Sequence, residues 1–213
     1  MSDIRNLDSH CATIAGGLSS GISALGAYAR PSPLRGEEGE PAAAARCGGG
    51  HADKGGERMA PALEGGCACG RMRHRLASKP MFVHCCHCGD CQRQTGSAFV
   101  INALIESDRV ERLMGETEAV PVPTDSGQPH VIHRCPICKI ALWSHYGGRQ
   151  QLSFVRVGAL DDPAALPPDV HIYTRSKLPW VALPQNVPAF EAYYDSKTLW
   201  PADSLARRKA IFG

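Results

Sequence analysis

The sequence predicts a mainly β domain, preceded by a disordered segment and ended by a short helix. Past residue 60, short alternating or apolar runs recur, and glycine and proline separate them. No segment keeps a helical period long enough for the helix of a βαβ unit, and no internal repeat has a fixed spacing. Only residues 203–212 have the pattern of a helix. A parallel α/β sheet is therefore excluded.

Seven segments are predicted as strands. The first alternates polar and apolar side chains, which is typical of a strand with one buried face. The others are short apolar stretches that end at turn residues. The predicted strands are residues 71–77, 81–88, 97–106, 129–134, 140–145, 151–158 and 171–174.

The chain divides into three parts. Residues 1–60 contain glycine-rich and alanine-rich runs and almost no periodic apolar pattern, so we predict that they are disordered. Because Met59 precedes the densely patterned part, residues 1–58 are interpreted as a dispensable extension or a misassigned start. Residues 61–195 form the predicted folded domain, and residues 196–213 form a C-terminal tail that contains the short helix.

Composition and charge favour neither a nucleic acid nor a membrane as partner. The formal net charge of +2 is too small to attract a polyanion. No stretch approaches the roughly 20 apolar residues of a membrane-spanning helix. A secretion signal is disfavoured, because Asp3 and Asp8 stand where a positive segment is required. We expect a cytoplasmic protein, since clustered thiols stay available for metal in a reducing compartment. The oligomeric state stays open.

Seven of the ten cysteines fall into three short clusters, and this spacing predicts zinc. Thiolates one to three residues apart can converge on one tetrahedral ion, whereas disulfide cysteines of small secreted domains are usually farther apart. Cys67 with Cys69, and Cys135 with Cys138, together supply four sulfurs. We expect a closed structural site that ties the start of the domain to its middle. The alternative is that these four are plain buried or free thiols.

The central cluster, Cys86, Cys88 and Cys91, is one ligand short of a closed site. In an extended segment Cys86 and Cys88 project to one face, and a turn through Gly89 and Asp90 can bring Cys91 to join them. Three protein ligands and an open position are typical of a catalytic zinc. We therefore expect two zinc ions per chain, one structural and one catalytic.

Each of four side chains near the central cluster has two interpretations. Cys85 and His87 point to the opposite face of the extended segment, so we interpret Cys85 as a buried apolar cysteine and His87 as a packing residue or a support for a ligand. Ligation is the alternative for both. Asp90 and His84 are candidate proton donors or acceptors, although solvation or packing explains each more simply.

The motifs also keep a specific order along the chain. They are Gly-Gly-Cys-Ala-Cys-Gly at residues 65–70, Cys-His-Cys-Gly-Asp-Cys at 86–91, Thr-Gly-Ser-Ala-Phe at 95–99, Cys-Pro-Ile-Cys at 135–138, Leu-Trp at 142–143, His-Ile at 171–172 and Lys-Leu-Pro-Trp at 177–180. This combination resembles the glutathione-dependent formaldehyde-activating enzyme family, which includes centromere protein V, over about residues 63–195. The resemblance implies a β-tent type fold of several small antiparallel sheets. It also implies a structural zinc on Cys67, Cys69, Cys135 and Cys138 and a catalytic zinc on Cys86, Cys88 and Cys91.

The resemblance implies a carbon–sulfur lyase or synthase. A thiol in the open zinc position loses its proton, because the cation stabilises the thiolate, and lies beside the carbonyl carbon that it adds to or leaves. The type member joins glutathione to formaldehyde, so the expected partners are a glutathione-like thiol and an aldehyde or adduct. Three thiolates leave the zinc site with a net charge near −1, which disfavours hydrolysis. The alternative is a non-catalytic zinc-stapled binding module.

Two positions depart from the family's pattern. Lys139 follows Cys138 where glycine is usual, and a side chain on left-handed backbone costs about 1 kcal/mol or more. Gln92 stands where many relatives have arginine, with Arg93 as the candidate substitute for an anion contact. The identity of the substrate depends on such differences.

Four further side chains are candidates for a substrate pocket. Trp143 and Trp180 are expected in the core, with the lining of a pocket as the alternative. Arg175 and Lys177 are either contacts for the carboxylates of a glutathione-like ligand or a solvated pair of charges.

Overall fold

The structure, a computed structural model, describes residues 63–213, so the predicted disordered segment 1–60 lies outside the described residues. The described part contains ten strands, three α-helices and several single 3₁₀ turns. The strands are β1 (Leu63–Gly66), β2 (Arg73–Leu76), β3 (Phe82–Cys86), β4 (Val100–Glu106), β5 (Val110–Met114), β6 (Glu118–Val122), β7 (His130–Arg134), β8 (Ala141–Tyr146), β9 (Leu152–Arg156) and β10 (Val170–Ile172). The helices are α1 (Gly89–Thr95), α2 (Ser196–Leu199) and α3 (Ala202–Phe212).

The strands form two sheets. The small sheet is antiparallel, with the order β1-β2-β5, and the large sheet has seven strands in the order β10-β3-β4-β9-β8-β7-β6. Neighbours in the large sheet are antiparallel, except that β10 runs parallel to β3. The predicted mainly β fold with a short C-terminal helix is therefore confirmed. Where several small sheets were expected, one small sheet and one large sheet are found.

Every predicted strand is present, but the strands β1, β5 and β6 and the helices α1 and α2 were not predicted. β5 and β6 are mostly exposed and lack an apolar alternation. β6 contains Pro121 and lies at the edge of the large sheet, where the missing N–H of proline is tolerated. The helix α1 replaces the turn expected through Gly89 and Asp90. None of its residues is buried, so it has no apolar stripe for a periodicity argument to detect.

Alternating side chains of the large sheet enter two apolar cores. Val83 pairs with Ala103, which pairs with Val155, and this row faces the core shared with the small sheet. Phe82 and Leu104, one residue along, face the second core. β3 and β4 are consequently buried on both faces, which explains their continuous apolar sequence.

The C-terminal segment closes the second core. Trp200 stacks on Phe82 with ring centroids 5.2 Å apart, and Ser204 Oγ donates to the carbonyl oxygen of Met81 at 2.6 Å. Arg207 of α3 forms a two-point ion pair with the buried carboxylate of Glu106. No helix between residues 63 and 213 combines the length and the apolar character that crossing a bilayer requires.

Candidate metal centres

The outer cysteines meet between two turns. Cys67 and Cys69 lie between β1 and β2, whereas Cys135 and Cys138 lie between β7 and β8. Their four sulfur atoms lie within 4.8 Å of one another. Because the two turns belong to different sheets, this closed cluster connects the small sheet to the large one.

Two glycines permit the tight path of the first turn. A Cβ atom on Gly66 would lie 2.3 Å from the carbonyl oxygen of Met72, which is closer than atoms can approach. Gly70 has a φ of 71°, in the left-handed region that favours glycine, and its N–H donates to the carbonyl oxygen of Cys67 at 3.0 Å. The Met72 N–H donates to Cys67 Sγ at 3.3 Å. The backbone therefore wraps around the sulfur, as the flanking glycines predict.

The sulfur spacing of the closed cluster suits a bound ion. Cys67 Sγ lies 3.4 Å from Cys69 Sγ, which lies 3.6 Å from Cys135 Sγ. Two sulfurs on one tetrahedral zinc are about 3.8 Å apart, whereas a disulfide bond measures about 2.05 Å. All cysteines within residues 63–213 are free thiols. The closed cluster could thus hold a metal ion, and four thiolates are a donor set typical of structural zinc.

Lys139 has the left-handed backbone that the sequence predicted. Its φ is 61°, and its N–H donates to the carbonyl oxygen of Cys135 at 2.9 Å. This conformation completes the turn that presents Cys135 and Cys138. The lysine ammonium forms an ion pair with Glu118 at 2.5 Å, which partly offsets the strain.

The open trio, Cys86, Cys88 and Cys91, comes from one continuous stretch. Cys86 ends β3, Cys88 is the residue that caps α1, and Cys91 lies in the first turn of that helix. Cys86 Sγ lies 3.5 Å from Cys88 Sγ, and the Cys91 N–H donates to Cys88 Sγ at 3.4 Å. The three sulfur atoms lie within 4.8 Å of one another. The helix α1 therefore brings the three sulfur atoms together, where the sequence predicted a simple turn.

The thiols of the open trio share their protons unequally. Hydrogen bonds from Cys86 and Cys91 lower the pKa of Cys88, and backbone N–H groups of Cys91 and Asp90 add to this effect against the cost of burial. The hydrogen bond to Cys88 raises the pKa of Cys86. These hydrogen bonds favour the thiolate form of Cys88, and a thiolate is the form that binds metal.

A buried arginine lies beside the open trio. The register pairs Arg156 of β9 with Asn102 of β4, and Asn102 with His84 of β3, so all three share a sheet face with Cys86. Arg156 Nη1 donates to Asn102 Oδ1 at 2.5 Å, while its Nε is buried without a partner. No carboxylate of residues 63–213 forms an ion pair with it.

The anions that support Arg156 are the thiolates of the open trio. Burial lowers the pKa of Arg156, and the charges of Cys91 and Cys86 act in the opposite direction. A guanidinium keeps its proton in proteins, so a buried one needs nearby negative charge. Sequence reasoning missed this residue. Its signal was one charged residue inside the apolar run from Phe154 to Val157.

Tyr173 is a second missed neighbour of the open trio. It packs in the same apolar cluster as the three cysteines. Its φ of 56° is in the left-handed region, which is unfavourable for a bulky side chain. Backbone bonds hold it there, because its N–H donates to the carbonyl oxygen of Ala192 at 3.1 Å. Backbone strain of this kind occurs often at functional sites.

Cys85, His87 and His171 form a separate group on the other face of the segment. Cys85 Sγ lies 3.6 Å from His87 Nε2, which lies 3.0 Å from His171 Nδ1. All three side chains are buried. Cys85 and His87 thus do not join the open trio. Within residues 63–213, no further cysteine, histidine or carboxylate lies within 4.8 Å of all three sulfur atoms of the trio.

The two candidate proton carriers are engaged elsewhere. His84 Nε2 lies 2.7 Å from Tyr194 Oη, and burial lowers the pKa of His84 to about 3. Asp90 Oδ2 accepts a hydrogen bond from the backbone N–H of Asp125 at 3.0 Å. Both contacts favour the structural interpretation of these residues.

Gln92 has a positioning contact. Its amide donates to the carbonyl oxygens of His87 at 2.8 Å and Ser176 at 2.9 Å, which ties α1 to the segment after β10. Arg93, the candidate substitute for an anion contact, is mostly exposed and lies 3.8 Å from Asp90.

The four candidates for the lining of a substrate pocket lie in different environments. Trp143 is buried and stacks on His133 with ring centroids 5.3 Å apart, so its predicted core position is confirmed. The same prediction is wrong for Trp180, which is 74% exposed. Lys177 donates to the carbonyl oxygens of Leu178 and Val181, and Arg175 lies over the Tyr173 ring.

Comparisons with known proteins identify the family of this chain. The family model "Glutathione-dependent formaldehyde-activating enzyme" matches residues 62–176. A Halomonas elongata protein named "Putative glutathione-dependent formaldehyde-activating enzyme" is 29% identical over 126 residues, which cover 57% of this chain and 80% of that protein. The alignment with a crystal structure of a Rhodobacter sphaeroides protein covers 60% of this chain and 99% of that protein's chain, with 17% identity and a TM-score of 0.39. Because the family model spans more than half of the sequence, this chain belongs to the glutathione-dependent formaldehyde-activating enzyme family.

Proposed function

We propose that this chain is a zinc-dependent enzyme that makes or breaks a carbon–sulfur bond between a glutathione-like thiol and an aldehyde. The observation that carries the proposal is the open trio: three converging sulfurs with no fourth donor among residues 63–213. A three-ligand site keeps a position for an exogenous ligand, which a structural zinc site does not. Family membership supports the choice of thiol and aldehyde.

The closed cluster has the other role in this proposal. Cys67, Cys69, Cys135 and Cys138 would hold a structural zinc, and four thiolates leave no position for a substrate. The two sites together bind two zinc ions per chain. Because both need reduced thiols, the cytoplasm is the proposed location.

The reaction itself is the addition of a thiolate to a carbonyl carbon. A lone pair of the sulfur forms the new carbon–sulfur bond, the π electrons of the carbonyl group move to its oxygen, and that oxygen takes a proton. Cys86, Cys88 and Cys91 would hold a zinc ion, which would supply the thiolate at neutral pH by lowering the pKa of a bound thiol. With glutathione and formaldehyde the product is S-hydroxymethylglutathione, and the reverse steps release the aldehyde.

The residues of the chain set the charge and the access of this site. Three thiolates would outweigh the two charges of a zinc ion, and the guanidinium of Arg156 would compensate the excess. Cys86 is buried, whereas Cys88 and Cys91 are partly exposed, so the solvent side of the open trio is the side of α1. Gln92 fixes that helix against the segment that ends at Ser176.

Thiol titration of the cobalt-substituted full-length protein tests the proposal. Glutathione that enters the coordination sphere adds a thiolate, so the visible spectrum should change and saturate within the millimolar range. Exchange NMR with glutathione and formaldehyde should show faster interconversion of free and S-hydroxymethyl forms than in buffer alone. Cysteine and coenzyme A serve as comparison thiols.

The matched control is Cys88→Ser, which removes a ligand of the open trio and leaves the closed cluster intact. This variant should lose the thiol-dependent part of the spectrum and the exchange activity. An unchanged wild-type spectrum at excess glutathione, together with exchange no faster than in buffer, would reject the enzyme and favour the zinc-stapled binding module.

A further inference from the structure

The group formed by Cys85, His87 and His171 has the dimensions of a metal site. The Cys85 Sγ to His87 Nε2 distance is 3.6 Å, and the His87 Nε2 to His171 Nδ1 distance is 3.0 Å. A tetrahedral zinc at about 2.3 Å from sulfur and about 2.0 Å from nitrogen separates sulfur from nitrogen by about 3.5 Å and two nitrogens by about 3.3 Å. The two measured separations are therefore close to those of donors that share one zinc ion.

Hydrogen bonding alone does not satisfy these three side chains. His87 Nε2 is within reach of both Cys85 Sγ and His171 Nδ1, yet one ring nitrogen either donates one proton or accepts at one lone pair. His87 Nδ1 is buried and has no partner among the described residues. A proton can join two of the three converging atoms, whereas an ion at their centre takes a lone pair from each.

The backbone fixes the position of all three donors. β10 runs parallel to β3 and pairs His171 with Cys85. The His87 N–H donates to the carbonyl oxygen of Ile172 at 3.0 Å, which holds the residue that follows β3 against the same strand. Relative exposures are 1% for Cys85, 0% for His87 and 7% for His171. The group is thus prearranged by the sheet, and little side-chain freedom is lost when it binds an ion.

A cavity borders this group on the side of Cys85 and His171. Its volume is about 420 Å³, and its lining includes both Cys85 and His171. The other main lining residues are Phe99, Ile101, Val181 and Asn186. A fourth ligand, such as water or a small anion, can therefore reach an ion held by the three side chains.

We propose that Cys85, His87 and His171 form a third metal site, for a divalent transition-metal ion of intermediate softness, with zinc as the preferred ion. One thiolate and two imidazoles are ligands that zinc accepts readily, and carboxylate-preferring Mg²⁺ and Ca²⁺ are disfavoured. The site lies on the opposite face of the β3 segment from the open trio and shares no ligand with it. The inference does not depend on the proposed carbon–sulfur chemistry.

Zinc stoichiometry of the full-length protein tests this site. Reduced protein is saturated with zinc under anaerobic conditions, freed of excess ion by gel filtration and analysed by inductively coupled plasma mass spectrometry. His171→Gln and Cys85→Ser should each bind one zinc fewer per chain than the wild type. His84→Gln is the matched control, because His84 is equally buried on the same strand and belongs to none of the three groups. It should keep the wild-type stoichiometry.

A measurement on the wild-type protein alone covers the case of variants that fail to fold. Protein loaded with ¹¹³Cd should give three cadmium resonances at separate chemical shifts, because the sites carry four, three and one thiolate. Absence of a resonance in the range of a site with one thiolate and two imidazoles, or a wild-type stoichiometry that both His171→Gln and Cys85→Ser retain, would overturn the proposal. Loss of one equivalent in these two variants and not in His84→Gln supports it.

Discussion

The closed cluster and the open trio use the same ligand type but are built in different ways. The closed cluster joins two turns from different sheets, and its cysteines Cys69 and Cys135 are 66 residues apart in the chain. The open trio comes from one stretch between β3 and α1. An ion in the first would hold sheets together, whereas an ion in the second would hold a short segment that the surrounding strands already fix.

This difference explains why the open trio is the better candidate for chemistry. A site that staples distant parts of a fold cannot release a ligand without loosening the fold. The open trio can exchange a ligand while β3 and β4 keep their five paired residues. Location in the fold therefore separates the two roles, in addition to the number of sulfurs.

Removal of one sulfur from each group should give the largest contrast. Cys135→Ser is expected to lower the free energy of unfolding by about 3 kcal/mol or more, because it breaks the link between the sheets. Cys88→Ser should cost less than about 1 kcal/mol. Denaturant unfolding followed by circular dichroism measures both values, and equal losses would contradict the division of roles.

The C-terminal helix α3 stabilises the large sheet through an ion pair between Arg207 and Glu106, without a metal. Burial raises the pKa of Glu106, but the hydrogen bonds and charge of Arg207 outweigh this effect and lower it overall. Because the folded pKa lies below the unfolded value, the stabilisation is present above the unfolded pKa, about 4.3, and is lost as the pH falls through the folded pKa.

Arg207→Met is therefore expected to cost about 2 kcal/mol at pH 7, since it removes both hydrogen bonds to the buried carboxylate and leaves only the 3.6 Å contact with Arg109. The difference from the wild type should shrink as the pH falls below about 4. Lys209→Met is the control, because Lys209 is an exposed cation of the same helix. Urea unfolding at several pH values provides the measurement. A difference that is independent of pH would exclude the ion pair as its cause.

Arg156→Met tests the charge balance of the open trio. Loss of the guanidinium should weaken zinc binding by the open trio about tenfold or more, as the loss of groups that support metal ligands does in other proteins. Competition with a chromophoric chelator measures this affinity, and the closed cluster should be unaffected. Arg156→Lys, which keeps the charge, should restore most of the affinity. Equal affinity in all three proteins would remove Arg156 from the site.

Lys139→Gly should give the smallest effect, on the closed cluster. Glycine relieves the left-handed backbone and should stabilise the protein by up to about 1 kcal/mol, reduced by its greater freedom in the unfolded chain. Lys139→Ala is the control, because it removes the ion pair with Glu118 and keeps the strained φ. It should be neutral or slightly destabilising in thermal unfolding. A gain as large as that of the glycine variant would show that the loss of the lysine side chain, and not the relief of backbone strain, stabilises the protein.

Sequence reasoning recovered the features that depend on local pattern. Spacing divided the cysteines into the two groups that the structure brings together, because the two outer pairs supply the four sulfurs of a closed site and the central cluster supplies only three. It missed β5, β6 and α1, which bury too little apolar surface to produce a period. It placed Trp180 in the core, because apolar character favours burial but does not determine it.

The sequence by itself determined the mainly β class, the cysteine partition, the left-handed position of Lys139 and the family. Only the tertiary structure decided which distant groups meet. It brought Arg156 to the open trio across two strands, and it paired His171 with Cys85 through the parallel strand β10. The reason is physical: periodicity and ligand spacing act within a few residues, whereas strand order and register are properties of the whole sheet.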